Sequence, residues 1–303
     1  MKSHHEAHDH SLAADLDAML NLAGNRRKSL RWLLAGAATL PVLGCGGESG
    51  SSTASTAAST TAPVIDVGAA TGTPPSSGSG TIVTSPNGAC SVIPEETGGP
   101  YPADGTNSNG SGVANVLTLS GVVRSDIRSS FNGAAGVAAG VPLTIKLQIV
   151  NVSGNCSTLE GYAVYLWHCD RDGDYSLYSN GVTTQNYLRG VQAADSGGNV
   201  TFESIFPACY SGRMPHVHLE VYPSLAKSVS AANRIKTTQF TFPMATLNQV
   251  YATAGYSASV ANLAQTSYAT DMVFSDGTSL QMATVTGNVS DGYVVTLTIG
   301  VAA

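Results

Sequence analysis

The chain is poor in charged residues and in long apolar runs. Only 11% of its 303 residues are charged, and 14 lysines and arginines face 20 aspartates and glutamates. An acidic chain with so few basic side chains is a poor nucleic-acid binder, because that binding depends on neutralising phosphates. The apolar stretch 32–42 is too short to cross a bilayer as a helix, and no later segment is a better candidate. We therefore expect a globular protein that does not bind nucleic acid.

The first 45 residues are organised like an export signal. A basic segment with two adjacent arginines, 25–31, precedes the apolar run 32–42, and a small residue stands before Cys45. This order is typical of exported proteins, and paired arginines favour the twin-arginine route. The residues around Cys45 are similar to a lipoprotein processing box, so Cys45 is the candidate acylated residue; a simple cleaved signal is the alternative. Residues 1–45 thus predict a periplasmic or cell-surface protein that meets the membrane only through this anchor.

A low-complexity stretch and a longer domain follow the signal. Residues 46–88 are almost entirely Gly, Ser, Thr, Ala and Pro. Such a composition cannot bury enough apolar surface to offset the entropy of ordering, which predicts a flexible linker. Residues 89–303 are long enough for one domain with a sizeable core.

Strand patterns dominate residues 89–303. Runs of alternating or β-branched residues are separated by Gly, Pro, Asn and Asp clusters, and only 248–265 has a weak helical pattern. Strands without intervening helices predict an all-β fold, an antiparallel β-sandwich with long loops and few short helices. The predicted strands are 116–123, 141–150, 162–167, 199–206, 216–222, 235–242 and 293–301.

Two histidines, His216 and His218, stand two residues apart in one of these runs. Side chains of an extended strand alternate between faces, so both imidazoles emerge on the same side and can bind one metal ion. The pattern therefore predicts a metal site on this strand.

Two tyrosines stand in equally marked surroundings. Tyr175 follows a Trp and a polar turn with Gly, and Tyr210 ends a Pro-x-x-Tyr segment just before Gly-Arg-x-x-His-x-His. These motifs, in this order, resemble the ligand set of the intradiol ring-cleavage dioxygenases. The segments 237–240 and 94–101 are similar to that family's Thr-Gln strand and Gly-Pro-Tyr entry loop. The resemblance covers about residues 90–243, and 244–303 match no part of the pattern.

The resemblance implies an oxidoreductase with a non-haem Fe(III) cofactor, which opens a catechol-type ring with O2 to a muconate-type diacid. It implies four metal ligands, of which Tyr210 is displaced by the substrate. Arg213 would stabilise developing negative charge, and Gln239 would assist. Pro100 and Tyr101 would line the substrate mouth, although Tyr101 could simply pack between prolines. The four implied ligands are Tyr175, Tyr210, His216 and His218.

The residue types fit this cofactor. A tyrosine must lose a proton with a pKa of about 10 before it binds a metal as phenolate. A small trivalent ion supplies the stabilisation needed, since a bound cation inverts the local pKa order. Ferrous oxygenases usually present two histidines and a carboxylate instead. Zinc could occupy such a site, but two tyrosines favour iron(III).

Four cysteines follow Cys45, an even count that favours disulfides in an exported chain and allows three pairings. If the resemblance brings both tyrosines to one metal, the cysteines near them are neighbours. This favours Cys169 with Cys209 and Cys90 with Cys156. The rival interpretation is that Cys169 and Cys209 are themselves metal ligands.

Other functions stay open at this stage. The same fold could be a tethered module that binds aromatic diols or iron without turnover, or a purely structural surface lipoprotein. The sequence identifies neither the particular catechol nor the oligomeric state.

Overall fold

The computed structural model describes residues 90–303. The predictions for 1–45 and 46–88, with the acylation of Cys45, lie outside the described residues. Within the described range the strands are β1 (Asp104–Ser108), β2 (Val113–Asn115), β3 (Pro142–Asn151), β4 (Ser157–Thr158), β5 (Ala163–Trp167), β6 (Arg189–Ala193), β7 (Asn199–Ile205), β8 (His216–Tyr222), β9 (Lys236–Thr241), β10 (Thr284–Asn288) and β11 (Gly292–Val301).

Helices play a small part. Among residues 90–303 they are α1 (Met244–Tyr251), α2 (Ser257–Leu263) and a 3-10 turn at Ala231–Asn233. In this range no helix combines the length and the apolar character needed to cross a membrane. The weak helical pattern at 248–265 therefore corresponds to two short helices, interrupted around Gly255, whose φ of 94° favours glycine.

The strands form two main sheets. One has the order β6-β5-β8-β9 and is antiparallel throughout. The other has the order β10-β11-β3-β4, with β7 also paired to β3. In this second sheet β3 and β11 run parallel over nine residue pairs, from Leu143 with Tyr293 to Asn151 with Val301. Strands β1 and β2 form a separate hairpin.

The two sheets share one core. Alternate residues of β3 and β7, such as Ile145 and Phe202, belong to the same buried cluster as Leu166 of β5 and Leu219 of β8. The opposite face of the β5–β8 sheet belongs to a second cluster, which includes Tyr165, Trp167 and Tyr175. Strand β8 is buried on both faces, so one of its faces packs in the sandwich and the other faces the loops.

The prediction of an all-β sandwich is confirmed. Six of the seven predicted strands are present, with ends shifted by a few residues, but 116–123 is a series of turns. There the chain is held by local bonds, since Leu119 N–H donates to Val116 O and Val122 N–H to Leu119 O. β-Branched residues at Val116, Val122 and Val123 imitate a strand pattern without a partner strand across the whole segment.

The cysteines are paired only in part as expected. Cys90 and Cys156 form a disulfide with a Cα–Cα distance of 5.7 Å, so this pairing is confirmed. The pairing of Cys169 with Cys209 is wrong, because both are free, buried thiols. Cys169 Sγ points at Ala208 O at 3.7 Å and Cys209 Sγ at Arg213 O at 3.4 Å.

Burial also disfavours the rival interpretation of these thiols as metal ligands. Burial raises the pKa of both thiols, that of Cys209 to about 12, which disfavours the thiolate that binds metals. Within residues 90–303 no three His, Cys, Asp or Glu side chains cluster in a way that could hold an ion.

Candidate metal centre

Strand β8 places both histidines on the face that looks away from the sandwich core. Val217 and Leu219, which alternate with them, lie in that core. On the neighbouring strand Trp167 is the partner of His218, and their rings stack with centroids 4.8 Å apart and planes 4° apart. The backbone ladder and this stacking together fix the direction of the His218 ring.

Tyr175 lies in a long loop between β5 and β6, residues 168–188, which we call the Tyr175 loop. Asp170 begins it with a tight turn, since its Oδ1 accepts N–H bonds from Asp172 and Asp174. The turn needs glycine at Gly173, where φ is 95°. Tyr175 N–H then donates to Ser179 Oγ at 2.8 Å. These short-range bonds turn the Tyr175 side chain inward, where it is buried.

Tyr210 lies in the connection between β7 and β8. Its neighbour Cys209 is held from both sides by α2: Cys209 N–H donates to Ser259 Oγ at 3.0 Å, and Asn262 Nδ2 donates to Cys209 O at 2.8 Å. The Tyr175 loop passes close by, because a Cβ on Gly173 would lie 3.2 Å from Tyr210 Cβ. Both tyrosine segments are therefore packed against each other.

The four predicted ligands meet at one point. Tyr175 Oη is 3.3 Å from His216 Nε2 and 3.3 Å from His218 Nε2. Tyr210 Oη is 3.3 Å from His216 Nε2. All four side chains are buried. The motifs that the sequence separates by up to 43 residues thus bring two phenol oxygens and two imidazole nitrogens together.

Both imidazoles are in the neutral form that metals require. Burial lowers the pKa of His216 and His218 well below the ordinary value, and the positive charge of Arg213 adds to this effect. His216 Nδ1 lies 2.6 Å from Met214 O, a group that can only accept. Nδ1 therefore carries the proton, and the lone pair of Nε2 faces the tyrosine oxygens.

Arg213 is a buried residue of the site, not a surface charge. Its Nε donates to Asp271 Oδ2 at 3.0 Å, and its Nη2 donates to Gln239 Oε1 at 2.8 Å. Gln239 in turn donates from Nε2 to Thr97 O at 2.9 Å. The two residues that the resemblance selected are thus joined to each other and to the entry loop, in which Thr97 lies.

Asp271 is a residue that the sequence did not indicate. It is fully buried and also accepts the Met214 N–H at 2.7 Å and the Val273 N–H at 2.8 Å. Because Met214 O is bonded to His216, one carboxylate supports both Arg213 and the segment that orients His216. Nothing in the local sequence of 244–303 could reveal this, since the partners lie 57 and 58 positions away.

The entry loop, residues 94–103, crosses above His218. A Cβ on Gly99 would lie 3.4 Å from His218 Cε1, and the φ of this residue is 66°. Pro100 O accepts a bond from Asn107 Nδ2. Tyr101 is half-buried, and its ring packs against that of Tyr175 with centroids 4.8 Å apart and planes tilted by 35°. The Tyr101 ring thus contacts Tyr175, one of the four predicted ligands, and its place at the substrate mouth stays a prediction.

Comparison with known protein families gives a match to the segment that contains the site. A family model described as Dioxygenase matches residues 126–242. This range contains all four converging side chains together with Arg213 and Gln239, whereas the entry loop and Asp271 lie outside it.

Solved structures show the same fold. An intradiol ring-cleavage dioxygenase from Tetranychus urticae superposes with a TM-score of 0.55 at 22% identity, over 70% of this chain and 95% of that one. A second solved dioxygenase gives a TM-score of 0.54 at 22% identity, over 70% and 94% of the two chains. No curated protein matches the chain. At such identities the likeness shows the fold alone.

Proposed function

We propose that this protein is a non-haem iron(III) intradiol dioxygenase, which cleaves a catechol-type diol with O2 to a muconate-type diacid. The observation that carries the proposal is the convergence of Tyr175, Tyr210, His216 and His218, with three oxygen–nitrogen separations of 3.3 Å. The dioxygenase family match over 126–242 supports it independently.

The donor set fits a ferric ion. Donors that share one small ion at bond lengths of about 2.1 Å are separated by about 3.0–3.4 Å, the range found here. Two neutral nitrogens and two phenols would supply two negative charges after deprotonation. Nine-tenths or more of each side chain is buried, so water competes weakly. When bound, the ion would stabilise both phenolates and draw electron density from a catecholate ring.

The two tyrosines are suited to different roles. Tyr175 is 1% exposed and Tyr210 is 9% exposed, so Tyr210 is the ligand nearer to solvent. We assign Tyr210 as the phenolate that the substrate displaces. Its Oη would then accept one of the two catechol protons, while Tyr175, His216 and His218 hold their positions.

Arg213 supplies fixed positive charge beside the histidines. Asp271 and Gln239 hold the guanidinium from two directions, which leaves it little freedom to reorganise during the reaction. A buried, preorganised charge of this kind stabilises negative charge that develops on a ring-opening substrate. Arg213 therefore acts on rate, and Gln239 and Asp271 orient it.

The test is to load the full chain with ferric iron, record a visible phenolate-to-iron band, and measure O2 uptake and ring-opened product with a panel of catechols. We expect colour, uptake and cleavage between the two oxygen-bearing carbons. Cleavage outside that bond would refute the intradiol assignment. Colour without O2 uptake would identify the alternative, a binding module for aromatic diols or iron without turnover.

We also propose export and lipid anchoring through Cys45. The support is the order of basic, apolar and small residues before Cys45, together with the Cys90–Cys156 disulfide, which is typical of oxidising compartments. Mass spectrometry of the mature N-terminus tests it. An unmodified Cys45 in the purified cellular protein would contradict the anchoring.

A further inference from the structure

Arg189, at the start of β6, is a buried cation whose hydrogen-bond partners are all neutral. The residue is 1% exposed. Its Nε donates to Ser176 Oγ at 3.1 Å, its Nη2 to Ser176 O at 2.9 Å, and its Nη1 to Pro102 O at 3.0 Å and to Tyr165 Oη at 3.2 Å. No carboxylate oxygen of residues 90–303 forms an ion pair with it.

These bonds join three segments that carry the site. Ser176 follows the proposed ligand Tyr175, Pro102 follows Tyr101 of the entry loop, and Tyr165 lies on β5 beside the histidine strand. Tyr165 Oη itself donates to Pro102 O at 2.7 Å. One guanidinium therefore links the Tyr175 loop, the entry loop and the sheet.

Unfavourable backbone conformations cluster around the same guanidinium. Ala103, Leu177 and Leu188 have φ values of 51°, 74° and 56°, in a region that side-chain-bearing residues rarely adopt. Ala103 follows Pro102, and Leu177 follows Ser176, the two loop residues that Arg189 binds. Leu188 directly precedes Arg189. Such strain persists only where surrounding contacts impose it, and it collects at functional sites.

Three tyrosine rings pack together in front of the Arg189 guanidinium. The Tyr101 ring packs at a tilt against Tyr175, with centroids 4.8 Å apart, and against Tyr178, with centroids 5.2 Å apart. Arg189 lies over the Tyr178 ring, with Cζ 5.5 Å from its centroid. The guanidinium thus lies behind the tyrosines that face the proposed substrate mouth.

We propose that Arg189 is a positioning residue, which locks the Tyr175 loop and the entry loop together and so sets Tyr175 and Tyr101 relative to the histidines. The proposal rests on the proposed function. Burying a charge without a carboxylate partner costs free energy of folding, and an apolar side chain at this position would fill the core without that cost. Its fork of donors suits the task, because it can reach several carbonyls at once.

The experiment compares Arg189→Gln with a matched control, Arg124→Gln. The Arg124 guanidinium likewise has only neutral hydrogen-bond partners, the carbonyls of Ser129, Ile127 and Arg189, but it reaches neither site loop. Hydrogen exchange of the metal-free full chain is read at peptides covering 100–108 and 174–179. We expect faster exchange at both peptides in Arg189→Gln alone. Iron affinity should fall about 10- to 100-fold, the range typical of residues that orient ligands.

Arg189→Lys keeps the charge but loses the forked set of guanidinium donors. It replaces the Gln variant in the test if that variant does not fold. We expect the Lys variant to exchange faster at the same two peptides. Wild-type exchange at both peptides and wild-type iron affinity in either folded variant would overturn the proposal. A wild-type protein that binds no iron would instead refute the proposed function, while the exchange comparison of metal-free proteins would still decide the role of Arg189.

Discussion

The histidine half of the site and the tyrosine half are held in different ways. His216 and His218 stand on a strand whose backbone pairs continuously with β9, and over most of its length with β5. Tyr175 and Tyr210 stand in loops held by short-range backbone bonds and by a few side chains, chiefly Ser179, Arg189, Ser259 and Asn262. A ladder tolerates the loss of one contact, whereas such a loop does not. The tyrosine half should therefore be the more fragile.

The largest effect on activity is expected from removing the phenol oxygen of Tyr175, one of the two tyrosines that stand in loops. Tyr175→Phe deletes one oxygen and leaves the ring, so the fold should survive while the charge-transfer band weakens and ring cleavage is lost. The matched control is Tyr251→Phe, which removes a buried hydroxyl that donates to Pro207 O at 3.0 Å. The control should cost about 1 kcal/mol of stability and keep the colour. A Tyr175→Phe variant with full activity contradicts the ligand assignment.

The next largest effect on activity is expected at the Arg213–Asp271 ion pair. Arg213→Ala should preserve colour and lower kcat about 10²- to 10³-fold, as for other preorganised charges. Asp271→Asn should lower kcat too, and it should reduce the free energy of unfolding by about 3–5 kcal/mol because it breaks a buried pair.

The exposed pair Arg128–Asp126, at 2.7 Å and with side chains 43% and 48% exposed, is the control for that comparison. Arg128→Ala should cost at most about 1 kcal/mol and leave kcat unchanged. Equal unfolding penalties for the two pairs, measured by chemical denaturation, would show that burial of Asp271 has no special role.

The halves also differ in what sequence can predict. The alternation of His216 and His218 with apolar residues predicts their common face, because a strand's geometry is local. The positions of Tyr175 and Tyr210 came from resemblance, since loops have no period. The resemblance brought their cysteine neighbours together as well, but it could not give the direction of each Sγ. That direction depends on which carbonyl each thiol reaches, and this is why Cys169 and Cys209 were wrongly paired.

The residues that hold the site side chains in place are harder to predict from the sequence than the site residues themselves. Asp271 and Ser259 lie in a segment without a motif, and Arg189 resembles any strand arginine in sequence. Their roles arise only when distant segments pack, so no local pattern indicates them. The false strand at 116–123 shows the opposite error: β-branched residues gave the pattern, but hydrogen bonds were satisfied within turns.

A smaller effect is expected at His168, which lies outside the proposed ligand set. His168 is bonded at both nitrogens, to Cys169 O and Ser204 Oγ, each at 2.7 Å, and burial lowers its pKa to about 4. The unfolded chain therefore binds a proton between pH 4 and 6.5 that the folded chain does not. Its contribution to stability is present above pH 6.5 and is lost as pH falls toward 4, by up to roughly 3 kcal/mol.

Denaturation of metal-free wild type and His168→Gln between pH 4.5 and 7 measures this contribution. The variant should show a shallower fall of stability with acid, because one depressed group is gone. His216 and His218 keep their own share of the pH dependence in both proteins. Identical slopes would mean that folding does not lower the pKa of His168.

The smallest effect is expected at the contact between the loop and strand halves. Gly99→Ala places a methyl group 3.4 Å from His218 Cε1 at a residue with φ of 66°. Gly110→Ala is the matched control, because its φ is 84° and nothing lies within 4 Å of the new Cβ. Both should lose about 1–2 kcal/mol from backbone strain. Only Gly99→Ala should also raise KM, by a few-fold, since its new methyl group contacts the His218 ring at the proposed site; equal KM values would show that the loop does not bear on the site.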